Sequence, residues 1–159
     1  MADQFTILDV IAQNESGGNA NAVKFEQSTF ADMRGGGLDW TKSARARIMR
    51  LHDCDDATAM ALASTSWGTY QIMGFNLWDA TTCGFGGTLG TFLSSPDEQN
   101  KAVTRFLASA RISDITVSDL ENDVDKRNHF ISRYNGPGDI PSYWALTQRS
   151  IAYLRSRQS

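Results

Sequence analysis

The sequence holds little of what several catalytic classes depend on. Histidine is nearly missing: His52 and His129 are the two in 159 residues. Neither sits in a motif that supports a serine or cysteine nucleophile, so a Ser-His-Asp or Cys-His arrangement has no basis here. Cysteine is almost as scarce. Cys54 and Cys83 are not spaced as a zinc site, a disulfide between them is open, and two free buried thiols are the expected state. His52-Asp53-Cys54 alone does not make a metal site, so no metal and no cofactor are expected. A glycine loop of the form that cradles phosphate is also missing.

Surplus positive charge is absent too. Fifteen Lys and Arg stand against 18 Asp and Glu, a formal net charge of −3. A nucleic-acid binder usually carries a basic stripe, so no nucleic-acid partner is expected. No apolar run approaches the roughly 18 residues that span a bilayer, so no stable membrane insertion is expected. Met1-Ala2-Asp3-Gln4 lacks a basic region, and Asp9 interrupts the apolar stretch behind it, so no signal peptide is read. Synthesis in the cytoplasm follows, with any export needing outside help.

What is present is ordinary for a globular domain: 41% hydrophobic and 21% charged residues, without repeats, low-complexity tracts or linkers. One domain over residues 1–159 is expected. A chain of this size buries about 68–70% of its unfolded surface, enough for a core without staples.

The first helix carries the strongest signal. It is expected from Gln4 to Ser16 with Asp3 as N-cap. Phe5, Leu8, Ile11, Ala12 and Glu15 recur at helical spacing on one face. A glutamate thus falls on the apolar stripe, in the last turn, and Gly17-Gly18 ends the helix with a left-handed cap. Desolvation and the negative end of the helix dipole both disfavour its charge. That is the setting of a general acid near neutral pH, so Glu15 is the leading catalytic candidate.

Val23 to Phe30 alternates, with Lys24, Glu26 and Ser28 on one side, and is expected to be a strand. Glu26 is the second carboxylate of interest; a solvated strand charge is its alternative. Arg34-Gly35-Gly36-Gly37 reads as a mobile loop. Trp40 is either a substrate platform or core. Thr41 to Leu51 is a basic helix, read as a solvated face. Asp55 and Asp56 cap a helix through Ala57–Ser64. Ser64 to Asn76, Ser-Thr-Ser-Trp-Gly-Thr-Tyr-Gln-Ile-Met-Gly-Phe-Asn, mixes small, aromatic and amide residues between glycines. It suits a ligand-facing wall better than a regular core element. Short helices are expected over Asn76–Thr82 and Leu89–Leu93, a longer one from Pro96 to Ala110, and a loop over Ser113–Ser118. One or two helices then reach Tyr134. Tyr134-Asn-Gly-Pro-Gly138 is a sharp turn, and Pro141–Ser156 is the last helix. Arg149, Arg155 and Arg157 near the end read as a solvated helix terminus.

Three polar, glycine-punctuated segments therefore interrupt a helical domain. With histidine chemistry set aside, carboxylate acid catalysis is left. Aromatic and amide side chains around a carboxylate fit carbohydrate, and glycosidic cleavage uses a carboxylic acid of raised pKa.

Glu15-Ser-Gly-Gly, Phe25-Glu26 with Phe30, Ser66-Trp-Gly-Thr-Tyr-Gln-Ile-Met-Gly74-Phe-Asn76 and Tyr134-Asn-Gly-Pro-Gly138 resemble the N-acetylmuramidase family of bacteriophage endolysins. That family belongs to the lysozyme-like superfamily. The resemblance runs through nearly the whole chain in order. It implies a mainly α (α+β) lysozyme-like fold, a helical domain with a small β element. It implies cleavage of the β-1,4 bond between N-acetylmuramic acid and N-acetylglucosamine, with Glu15 as acid. Glu26 is the expected second catalytic group. Ser66, Tyr70, Gln71, Tyr134 and Asn135 are the expected glycan-binding wall. A lytic transglycosylase, or a non-catalytic glycan-binding phage component, is the alternative. The expected partner is the peptidoglycan glycan strand, bound by a monomer without a separate wall-binding module. The resemblance also implies an enzyme that waits in the host cytoplasm until it is released to the wall.

Overall fold

A computed structural model describes residues 3–158; Met1 and Ala2, which begin the leader reading, lie outside the described residues. The expected mainly α architecture is found, with ten helices and a three-stranded antiparallel sheet among the described residues.

Helix α1 spans Ile7–Ser16, shorter than the sequence suggested. Asp9 reaches back to accept the Thr6 N–H at 2.7 Å, which makes Thr6 the N-cap. Asp3 is taken instead by Arg155, whose Nη2 lies 2.7 Å from its Oδ2. At the other end Gly17 has φ +63°, and the Gly17 and Gly18 N–H groups take up the carbonyls of Gln13 and Ala12.

Strand β1 is only Val23–Phe25, and the expected strand to Phe30 is not formed. The Glu26 N–H turns to the Ser64 carbonyl at 2.9 Å, and the Glu26 carbonyl starts helix α2, Gln27–Arg34. Phe30 and Met33, three residues apart, share a side in a helix and not in a strand, and Met33 is buried in the core.

Helices α3 (Lys42–His52) and α4 (Asp56–Ala63) follow, the latter capped by Asp55, which accepts the Thr58 N–H at 2.8 Å. Then comes a correction. Ser64–Asn76 holds regular, largely buried strands, β2 (Thr65–Trp67) and β3 (Ile72–Met73), in the order β1-β2-β3. The two glycines that suggested irregularity make the hairpin fit. Gly68 turns it at φ +75°, and a Cβ on Gly74 would overlap the Leu62 carbonyl oxygen.

Helix α5 is Gly74–Leu77, a single turn rather than the expected Asn76–Thr82. Asp79 diverts the chain into a turn by accepting the Thr81 N–H at 2.8 Å. Helices α6 (Leu89–Leu93) and α7 (Pro96–Ser109) lie where expected. Helix α8 (Val117–Asn122) begins inside the expected 113–118 loop, because Thr116 and Asp119 form a capping box. Helices α9 (Val124–Tyr134) and α10 (Ile140–Ser156) complete the chain, with α10 packed along α1.

The core gathers Ile11, Ile48, Leu77, Trp78, Phe92 and Phe130 from α1, α3, α5, α6 and α9. Both cysteines are free, but only Cys83 is buried, and burial pushes its thiol up to about 12. His52 is structural: its Nε2 accepts the Leu89 N–H at 2.9 Å and its ring meets Trp78 edge-on. Trp40 is not core; it is 61% exposed, edge-on to Phe75.

Candidate active site

Strand register builds one wall of the site. Lys24 pairs with Ser66, and Ser66 pairs with Met73. Side chains opposite each other across antiparallel strands share a face. Lys24, Ser66 and Met73 therefore form a row across the sheet, with Ser66 Oγ donating to Met73 Sδ at 3.0 Å. Glu26, two residues after Lys24, lies on the same face, and Lys24 Nζ is 2.7 Å from its Oε1.

The helical wall brings Glu15 from the last turn of α1 and Tyr134 and Asn135 from the end of α9. These residues, with Lys24, Glu26, Ser66, Gln71 and Met73, line one cleft of about 310 Å³. Six of the seven expected site residues thus meet in one place. Tyr70 does not line this cleft. Its ring is buried, its hydroxyl donates to Asn100 Oδ1 at 2.6 Å, and its backbone carbonyl accepts the Tyr134 hydroxyl at 2.8 Å. It braces the wall instead of facing the cavity.

Glu15 has the perturbation expected of an acid. Desolvation by burial raises its pKa; the hydrogen bond from Tyr143 and the Lys24 charge oppose this and do not cancel it. Tyr143 Oη donates to Glu15 Oε1 at 2.6 Å, while Oε2 takes no hydrogen bond from the described residues. Burial and the neighbouring Glu15 carboxylate push the Tyr143 hydroxyl far up, so it stays protonated and donates to Glu15. Tyr134 is raised in the same way, first by burial and then by Glu15.

The hairpin loop is held from beneath. Gln99, 1% exposed on α7, accepts the Thr69 N–H at 2.8 Å and donates to the Ala20 carbonyl at 3.0 Å. Gln71 sits at the loop's end with φ +47° and donates Nε2 to the Gly68 carbonyl at 3.0 Å. Its Oε1 takes no hydrogen bond among the described residues, and the residue lines the cleft. Sequence reading missed Tyr143, Lys24 and Gln99. Only Lys24 left a signal, since it alternates in phase with Glu26.

A larger depression of about 830 Å³ lies at the opposite end of α1, lined by Phe5, Ile7, Val117 and Arg155 among others. Size does not make it the reactive site. Its cation is already clamped by Asp3 and Glu121, and it holds neither Glu15 nor Glu26.

A family model described as N-acetylmuramidase matches residues 5–147. An endolysin of Enterobacteria phage PRD1 is 32% identical over 133 residues, covering 84% of this chain and 87% of that protein. No solved structure matches. Both findings extend over most of the sequence, and the matched segment contains every residue of the cleft: the chain belongs to the N-acetylmuramidase family.

Proposed function

We propose that this protein is a peptidoglycan hydrolase that cleaves the β-1,4 bond between N-acetylmuramic acid and N-acetylglucosamine. One observation carries the reading: a carboxylic acid of raised pKa, Glu15, and an ion-paired carboxylate, Glu26, line the same cleft. Glycoside hydrolysis needs that pair, one group protonated and one charged.

Glu15 donates its proton from Oε2 to the glycosidic oxygen as the bond to the anomeric carbon breaks. Tyr143 fixes the carboxyl through Oε1 and leaves Oε2 for the substrate. Lys24 holds the Glu26 carboxylate by an ion pair, Nζ to Oε1, at 2.7 Å. Glu26 takes a proton from the water whose oxygen bonds to the anomeric carbon. Gln71 Oε1, the Asn135 amide and Ser66 supply hydrogen-bonding partners for sugar hydroxyl and acetamido groups. The endolysin resemblance supports a role in wall lysis after release from the host cytoplasm.

Zymography on peptidoglycan tests the acid. Glu15→Gln is expected to fold and to clear nothing, and clearing by this variant would overturn the assignment. Mass spectrometry tests the water. Hydrolysed reducing ends are about 18 Da heavier than 1,6-anhydro ends. Predominantly anhydro ends would make the protein a lytic transglycosylase and remove the water-activating role of Glu26.

A further inference from the structure

Helix α2 presents a face that the core does not use. Gln27, Phe30, Ala31 and Arg34 recur at helical spacing and line a groove of about 460 Å³. Met33 on the opposite side is 2% exposed, so burial of α2 is already satisfied without this stripe. Phe25 on the edge strand β1 extends the surface. It is 50% exposed, and its ring lies 5.5 Å from that of Phe30.

We propose that this groove is a second binding site for the peptidoglycan strand, outside the catalytic cleft, and that it takes a sugar face on Phe25 and Phe30 and a stem-peptide carboxylate on Arg34. The inference rests on the peptidoglycan reading of the cleft. Three features select this occupant. First, the two sites adjoin along the chain: Glu26 lines the cleft, and the next residue, Gln27, lines the groove. A polymer lying in the cleft meets the groove at the β1–α2 junction. Second, the partly exposed Phe30 ring lines the groove beside the Gln27 amide, with the half-exposed Phe25 ring next to it, a composition that suits a sugar. Third, Arg34 stands 5.9 Å over the Phe30 ring and makes no ion pair among the described residues. An unpaired guanidinium held over a ring, in a chain with more acids than bases, is free for an anion that the wall's peptides supply.

The test uses two substrates: purified sacculi, whose strands are long enough for both sites, and a soluble tetrasaccharide muropeptide that fills only the cleft. For Phe30→Ala/Arg34→Ala, KM on sacculi is expected to rise about tenfold, as for loss of a binding anchor. Its kcat on sacculi and both constants on the tetrasaccharide are expected to stay unchanged. Equal loss on both substrates, or no loss on either, overturns the groove. If the double variant melts early, Arg34→Glu alone replaces it, because that side chain is exposed and bears no core contact. Sedimentation with phosphatidylglycerol vesicles covers the rival occupant; binding that the double variant loses would overturn the glycan assignment. Wild-type protein that cleaves neither substrate refutes the proposed function. Wild-type that cleaves both, with a variant equal to it on sacculi, refutes only the groove.

Discussion

Gln99→Leu isolates the polar work of one buried side chain. Leucine keeps most of the volume, so the change removes hydrogen bonds and opens little cavity. Two partners are orphaned: the Thr69 N–H, now bonded at 2.8 Å, and the Ala20 carbonyl, at 3.0 Å. The carbonyls of Phe92 and Leu93 lie farther, at 3.3 and 3.4 Å, and Phe92 also receives the Ser95 N–H. A buried group left without a partner costs about 1–3 kcal/mol. Thr69 and Ala20 are only partly buried, so water recovers some of this, and about 2–3 kcal/mol in total is expected. At about 2–4 °C per kcal/mol for a domain of this size, the melting temperature falls by about 5–10 °C. The measurement is calorimetry of both proteins, and a fall below about 2 °C would refute the reasoning. A cycle with Gly68→Ala adds a second check. A Cβ on Gly68 would stand 2.6 Å from Gln99 Oε1. In the wild type, Gly68→Ala meets both left-handed strain, about 1–2 kcal/mol, and that collision. In a Gln99→Ala background that collision is gone, and the strain and a tight approach of 3.1 Å to Phe92 Cε1 remain. Additivity within about 0.5 kcal/mol would show that the two residues do not press on each other.

Glu15→Gln is expected to be more stable than the wild type at neutral pH, although inactive. The wild-type carboxyl has a folded pKa above its unfolded one, so between those values the native state holds a proton that the unfolded chain has released. Wild-type stability therefore falls as pH rises through that window. Denaturant titrations are expected to show the gap between the two proteins closing below about pH 4, and a gap that widens in acid would contradict this. Tyr143→Phe removes a hydrogen bond that favours the ionised form of Glu15, so its pKa rises further. The alkaline limb of kcat/KM against pH is expected to move up; a limb that stays or moves down would show that Tyr143 does not govern the acid.

The site was partly legible because one of its signals is local. Ile11, Glu15 and the two glycines lie within a single helix and its cap, and the 3.6-residue period alone puts the glutamate on the apolar stripe. The Tyr134-Asn135 turn is legible for the same reason. The hairpin was misread because three- and two-residue strands are too short to show alternation, and their glycines answer to packing against Leu62 and Gln99. Tyr70 was misassigned because an aromatic beside a cleft and an aromatic beneath it have the same sequence.

Local pattern alone is enough for the helical architecture and for placing Glu15 in the last turn of α1 on an apolar stripe, where burial raises its proton affinity. These follow from periodicity, capping and composition, which act over one or two turns. Long-range packing sets what surrounds Glu15. Tyr143 comes from 128 residues away, and the row from Lys24 to Ser66 to Met73 is set by strand register. Register and helix docking depend on burying whole faces at once, and no local window of the chain encodes that sum. Glu26, held by Lys24 beside the sheet, thus lines the same cleft as Glu15 at the end of α1.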